Sequence, residues 1–312
     1  MLGMIDGNAH PYSWSAIING YNPEAMEVGV GEKYRGIVDY LGAEPFDEIG
    51  VEGATVTHIW TDEPEEAPKI SAASLVPNVV ENPEDVIGEV DLVVISVDDG
   101  EDHVRRVRPF IEAGIAVFID KPLATNVADL QQFIDWQKEG HFIMSSSGLR
   151  YSPPAVALRE ELASLGELRW ISSTSAKTWE RYGIHALEAI YPLVGPGLKS
   201  VRLESQPGSD IGYILHESGV QLTLPIIYDM VGSFGLVDAC GTAGHRRINV
   251  AAPYRAFRGQ LVAVLDALRA GESKYPFSET IELMAAIIAG IRSRSEKGRL
   301  VPVSEIMGEL KL

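Results

Sequence analysis

The segment Asp91–Val97 (DLVVISV) is apolar on both faces, so it is stable only as a strand covered on both sides, as in a parallel sheet between helices. The residues after it repeat the constraint. A helical stretch from His103 to Ala113 stops at Gly114, a residue suited to a helix C-cap, and Ile115–Asp120 (IAVFID) is the next strand. Asn126, with Asp129 one turn on, caps a helix running through Lys138, and His141–Ser145 supplies a further strand. Upstream, Leu2–Ile5 is a short apolar run ended by Asp6-Gly7-Asn8, and Thr55–Thr61 (TVTHIWT) is β-branched and aromatic. Strands alternating with helices predict an α/β fold: a Rossmann domain over residues 1–148, with a doubly wound parallel sheet and right-handed crossovers. The run from Gly7 to Asp62 is too long for a minimal βαβ unit, and an extra helix around Lys33–Leu41 is expected to fill part of it.

The second half reads differently. Residues 168–174, 201–205, 211–217, 220–227, 233–240 and 244–250 are strand-like, and Ser218-Gly219 separates two of them as a hairpin turn. Phe257, Leu261, Val264 and Leu268 recur at helical spacing, as do Ile281, Met284, Ile288 and Ile291. The expectation is a C-terminal α+β domain over residues 149–312, built on an open, largely antiparallel sheet, with the boundary near Gly148.

Charge and cysteine content narrow the partners. The chain has 26 Lys plus Arg against 44 Asp plus Glu, a formal charge of −18, which repels nucleic acid and anionic membranes. Neither is expected as a partner. The single cysteine, Cys240, can form no internal disulfide and no cysteine-rich metal cluster, so a reducing compartment fits. The N-terminus lacks a basic segment followed by an apolar run, and no apolar stretch approaches ~20 residues, so the expected location is cytoplasmic.

The first βα turn bears on nucleotide binding. A Rossmann turn wants G-x-G-x-x-G, so that the backbone approaches a pyrophosphate closely and offers helix N-terminal amides. Here it reads Ile5-Asp6-Gly7-Asn8-Ala9-His10, and only Gly7 can serve as one of those glycines. Asp62, at the end of the second strand, is placed to hold a ribose diol, which favours NAD over NADP; an exposed turn acid is the plain alternative. The loop Asp98-Asp99-Gly100-Glu101-Asp102, with Asp6 and His10, puts negative charge where a pyrophosphate would sit, although loop acids are ordinarily solvated. No spacing rule supports a metal bridging Asp6, His10 and Asp98, and no metal is expected.

The stretch from Asp91 to Ala124 resembles the Gfo/Idh/MocA family (glucose–fructose oxidoreductase, inositol dehydrogenase and rhizopine-catabolism proteins). That family has a strand entering a P-x-x-x-H turn, a helix ending a-L-x-a-G, and a strand closing on E-K-P-L-A. His103, Ala113, Gly114, Lys121, Pro122, Leu123 and Ala124 match it, while Asp120 replaces the usual Glu and Asp98 stands where the family often has Pro. Leu149-Arg150-Tyr151-Ser152-Pro153 resembles the segment that opens the second domain. Gly183-Ile184-His185-Ala186-Leu187-Glu188, running to Leu193-Val194-Gly195, resembles its G-x-H-x-x-D…L-x-G helix. Gly241-Thr242-Ala243-Gly244 and the final helix also fit.

The resemblance implies an NAD(P)-dependent oxidoreductase acting on a hydroxyl carbon of a sugar, cyclitol or sugar acid. Gly7, Asn8, Asp62, Ser96, Val97, Asp98, His103, Asp120 and Lys121 would hold the cofactor. Lys121 would bind the reacting hydroxyl and assist proton transfer, since an ammonium lowers the cost of a developing alkoxide. His185 would act as acid/base or hydroxyl ligand. Arg150, Tyr151, Trp179, Arg181 and Glu188 would line the substrate pocket. Plainer readings stand beside these: a strand-end surface lysine, a structural histidine, a solvated Arg181. Arg181 occupies the position where many active members carry an Asp that pairs with the histidine. A cation there would keep His185 neutral and could bind a carboxylate or phosphate on an acidic sugar. The family's sheets commonly pack face to face, implying a homodimer or homotetramer. The degenerate turn, Asp98 and Arg181 favour an alternative, a relative without redox activity serving as a ligand-binding or regulatory protein. Hydrolysis or elimination with a retained NAD is a third possibility.

Overall fold

Parallel strands need both faces covered, and the first half of the computed structural model, which describes residues 1–230 and 234–312, provides that cover. Strands Leu92–Ile95, Ala116–Ile119 and Ile143–Ser145 pair in parallel in that order. Leu2 extends the sheet on the other side of Leu92–Ile95, bridging Ile95 and Trp60 in parallel. Its amide donates to the Val94 carbonyl at 2.8 Å, and the Ser96 amide donates to the Leu2 carbonyl at 3.0 Å. The parallel pair His58–Ile59 and Asn78–Val79 completes the row. The spatial order reverses between Leu2 and Leu92–Ile95, which is the switch point of a doubly wound Rossmann sheet and the place where its crevice opens.

The expected strand Leu2–Ile5 contracts to the bridge at Leu2. Gly3 adopts a left-handed φ of +93°, and a Cβ there would meet the Val97 side chain at 2.6 Å, so the chain turns where the sequence pattern alone would extend it. Thr55–Thr61 likewise pairs only at His58–Ile59 and through Trp60. The long run after Gly7 is more helical than expected. It forms His10–Asn19, Pro23–Val30 capped by the Asn22 side chain, a 3₁₀ turn at Glu32–Tyr34, and Gly36–Gly42.

In the second half a mixed sheet runs in the order His245–Asn249, Leu236–Gly241, Leu168–Ser173, Gln221–Ile227, Ser209–His216, Leu198–Gln206, Val301–Pro302. Its pairings are antiparallel except where Gln221–Ile227 runs parallel to Leu168–Ser173 and to Ser175–Ala176. The hairpin at Ser218-Gly219 forms, with Gly219 at φ +87°. The strand expected over 233–240 starts at Leu236, and position 233 lies outside the described residues. Helices Trp179–Val194 and Phe277–Ser295 cover one face; Trp170, Tyr213 and Leu215 stay partly exposed on the sheet. Helix Pro253–Ala270 returns to the first half, where its Tyr254, Leu261, Val264 and Ala267 join the core containing Trp14, Ile17, Ile59 and Phe118. Among the described residues no helix is long and apolar enough to cross a membrane.

Trp179 sits at the centre of the second core and does not line a pocket as expected. It is fully buried, and its Nε1 donates to the Ile287 carbonyl at 2.9 Å. Gly183, Gly212 and Gly290 make room for it: a Cβ on Gly290 would stand 2.4 Å from the indole. Gly290→Ala should therefore cost ~1–3 kcal/mol by overpacking, read as a lower midpoint in urea unfolding; an unchanged midpoint would show that the indole can shift.

Candidate active site

The crevice is organised by Asp120, at the end of strand Ala116–Ile119 and wholly buried. Its Oδ1 accepts the Lys121 amide at 2.8 Å, and its Oδ2 accepts Asn8 Nδ2 at 2.9 Å and pairs with His10 Nδ1 at 2.6 Å. Burial alone would raise this carboxyl, but its interactions with His10 and the Lys121 ammonium outweigh burial and hold it below the usual range. Asn8 also donates to the Ser96 carbonyl at 3.3 Å and accepts the His10 amide at 3.0 Å. A side-chain network thus holds the first turn where glycines would leave bare backbone.

Lys121 is 1% exposed, its ammonium 3.4 Å from Asp98 Oδ2 and 4.5 Å from the Tyr182 ring centre. Desolvation lowers its pKa, but Asp98 and Asp120 more than offset that and leave it raised, so the lysine stays protonated. Asp98 is buried too, and its other oxygen accepts from Arg181 at 2.5 Å. The two unusual residues therefore neutralise each other. Arg181 is not free to bind an anionic substrate group as expected, because its charge is committed to Asp98.

His185 presents a different face of the crevice. Its Nδ1 lies 2.6 Å from Ser147 Oγ, and burial first, then the Lys121 charge, depresses its basicity well below the ordinary value. The imidazole is neutral for those reasons, and not through Arg181. Beneath it, Glu188 accepts the Ser147 amide and pairs with Arg150 at 3.2 Å; Arg150 also binds Glu279 and stacks on Tyr275 at 4.0 Å. The Tyr151 hydroxyl hydrogen-bonds the Ser146 hydroxyl at 3.3 Å and the Tyr275 hydroxyl at 3.2 Å, donating to one and accepting from the other. Arg150, Tyr151 and Glu188 thus support the loop carrying Ser147 from behind and do not line a substrate pocket, a correction set by their burial.

The pocket itself is a chamber of about 280 Å³ between the two halves. His10, Tyr182 and His185 give it polar edges; Leu149, Phe234, Pro253, Ala256 and Phe257 make the rest apolar. In the sequence His10 stands only as a turn residue and as a rejected metal ligand; Asp120 lies 110 residues away, and only the fold brings the two together.

Several residues expected to touch a cofactor are sealed within the sheet end. Ser96 Oγ donates to the Gly3 carbonyl at 2.8 Å; Val97 is fully buried; both His103 ring nitrogens meet carbonyls, Val97 at 2.7 Å and Leu123 at 3.1 Å. Those side chains brace the turns. Asp62 accepts the Met4 amide at 3.0 Å and Arg106 at 2.6 Å. Room for a dinucleotide nevertheless exists. A cavity of about 520 Å³ adjoins Asp62, Met4, Asp6 and Tyr34, and a Cβ built on Gly7 (φ +79°) would meet nothing nearer than Lys177 Nζ at 3.7 Å. The residues fit a dinucleotide laid along the crevice, with one conflict: the Gly7 amide donates to Tyr34 Oη at 3.1 Å, so a pyrophosphate has to compete for it. Among the described residues no cluster of three or more His, Cys, Asp or Glu could hold a metal ion.

Comparison with known proteins agrees with this architecture. Residues 40–146 match the model of the Gfo/Idh/MocA oxidoreductase family, described as having an NAD-binding Rossmann fold. A protein of Amycolatopsis mediterranei (strain S699), named "Putative UDP-kanosamine synthase oxidoreductase subunit", is 32% identical over 84 residues, 27% of this chain and 23% of that protein. This match therefore spans less than a quarter of the curated relative. Apo scyllo-inositol dehydrogenase from Lactobacillus casei superposes with a TM-score of 0.74 at 14% identity, covering 97% of each chain. An Agrobacterium radiobacter oxidoreductase solved with NAD+, L-tartaric acid and magnesium gives 0.69 at 15% identity, covering 82% of this chain and 93% of its own.

Glu188 supplies a pH test of the buried network. Burial, only partly opposed by Arg150, raises it from 4.5 to about 7. The folded protein thus holds a proton that the unfolded chain releases, so this contribution to stability is full below pH 4.5 and is lost as pH rises through about 7. Thermal midpoints should fall across that window in wild type and flatten in Glu188→Gln; parallel curves would show that Glu188 is ionised throughout.

Proposed function

From the match of residues 40–146 to the Gfo/Idh/MocA oxidoreductase family, we propose that the chain interconverts a hydroxyl carbon and a carbonyl on a small organic substrate with NAD(P), NAD being favoured by Asp62. The family's sugars, cyclitols and sugar acids are the starting substrate class. The observation that carries the reading is the placing of Lys121, ion-paired with Asp98 at 3.4 Å and packed on the Tyr182 ring, behind the chamber that Tyr182 and His185 line.

When bound, the dinucleotide supplies the hydride acceptor or donor. Gly7, Asp62 and the Asp98–Lys121 pair would flank it. Lys121, held protonated by Asp98, favours negative charge developing on the substrate oxygen through its field. His185, neutral and oriented by Ser147, would hydrogen-bond the same substrate oxygen. The partly exposed Trp170, Tyr213 and Leu215 fit a homo-oligomer assembled through the open sheet. The bond from Gly7 to Tyr34 favours the second reading, a ligand-binding relative without redox activity.

The test follows NADH formation from NAD+ with cyclitols, aldoses and sugar acids. On whichever compound turns over, Lys121→Met should lower kcat by ~10²-fold or more while NADH affinity changes far less. An equal loss of cofactor affinity with no loss of turnover would make Lys121 a binding residue only.

A further inference from the structure

We propose that His10, oriented by Asp120, exchanges the substrate's hydroxyl proton, and that the chamber it faces takes a compact substrate apolar apart from that oxygen. The proposal rests on the oxidoreductase reading above and goes beyond it, because neither the resemblance nor the matched family places a proton-transfer group in the first turn.

The geometry is that of an oriented acid/base dyad. Asp120 is an ionised acceptor already receiving hydrogen bonds from Asn8 and the Lys121 amide, so the 2.6 Å contact requires His10 to present Nδ1–H to it. In the neutral ring Nε2 then carries the lone pair. The ring is fixed on its other sides, stacked on Trp14 at 4.3 Å and 17° and met edgewise by Phe257 at 5.1 Å. Among the described residues nothing hydrogen-bonds Nε2, yet the side chain is 17% exposed and lies on the chamber wall. Its free edge opens to the substrate space.

The alternatives are less able to take a proton. Lys121 already carries one, is covered by Tyr182, and is absent from the chamber wall. His185 has no carboxylate behind it, only Ser147, and its basicity is depressed. His10 alone has a buried anion to stabilise the imidazolium. The step is a proton transfer. The substrate O–H bond breaks, its electron pair stays on oxygen, and the proton forms a bond to His10 Nε2; reduction runs it backwards. The oxidant is the nicotinamide dinucleotide.

The lining sets the substrate class. Beyond His10 only Tyr182 and His185 give the chamber polar edges, and Leu149, Phe234 and Phe257 offer no hydrogen bonds, so a polyol's several hydroxyls would outnumber their partners and be desolvated at a cost. A volume of about 280 Å³ lies at the small end for ligand sites.

The test compares cyclohexanol and 1-phenylethanol with myo-inositol, using NAD+ and the full chain. The apolar alcohols should give the higher kcat/KM by ~10-fold or more. On the better one, His10→Gln should lower kcat by ~10²-fold or more with KM changed by less than about threefold. A readout independent of turnover is heteronuclear NMR of the His10 ring. Wild type should show the Nδ1–H tautomer with an Nε2 resonance that shifts on adding cyclohexanone, and Asp120→Asn should lose the fixed tautomer, as a positioning role requires. Preference for myo-inositol, or His10→Gln turnover within about threefold of wild type, overturns the proposal and leaves the oxidoreductase reading standing. A ketone-dependent shift in a protein that reduces no NAD+ with any alcohol upholds the site and overturns that reading.

Discussion

A buried carboxylate has to be hydrogen-bonded or neutralised, and the crevice of this protein is arranged around meeting that demand at Asp120. The donors come from the first turn, through Asn8 and His10, and from the next backbone amide, Lys121. One side chain therefore fixes the turn after the first strand to the end of strand Ala116–Ile119. In a glycine-rich turn that space is left for phosphate oxygens. Here protein groups occupy it, and the same replacement brings an imidazole to the wall of the chamber between the two halves.

A second buried anion follows the same logic. Asp98 and Arg181 each depart from the family pattern, and in sequence they look like separate losses. In the fold they face each other across the crevice at 2.5 Å, with Lys121 on the second Asp98 oxygen. A carboxylate expected on the helix stands here on the loop, paired at once with Arg181 and with the buried Lys121 ammonium. Asp102 is likewise bound by Arg105 and Arg106, and Arg106 reaches on to Asp62. The net charge of −18 is therefore not concentrated as bare carboxylates at the cofactor crevice.

Much of the fold was legible because it follows local rules. Asp91–Val97 and Ile115–Asp120 read as buried parallel strands because nothing else hides two apolar faces, and Asn126 capped its helix through the Asp129 amide as its spacing indicates. What escaped depends on tertiary contact. Leu2–Ile5 looked extended, but close packing of Gly3 on Val97 turns the chain. Trp179 looked like a pocket residue until Gly183, Gly212 and Gly290 were seen to surround it. Arg150 and Glu188 lay in the right motifs yet bind each other behind the loop carrying Ser147. His10 carried no motif at all. Its partner lies far away in sequence, so its place at the site is a product of sheet order.

The central claim is that this crevice accepts a nicotinamide dinucleotide although its turn is held by the protein's own groups. Calorimetric titration of NADH into wild type and Tyr34→Phe tests it most directly. Tyr34→Phe removes the hydroxyl that accepts the Gly7 amide, freeing that amide for phosphate. The account predicts saturable binding in wild type and tighter binding in Tyr34→Phe. Absence of heat in both proteins, with NADH and NADPH alike at millimolar concentration, would contradict it.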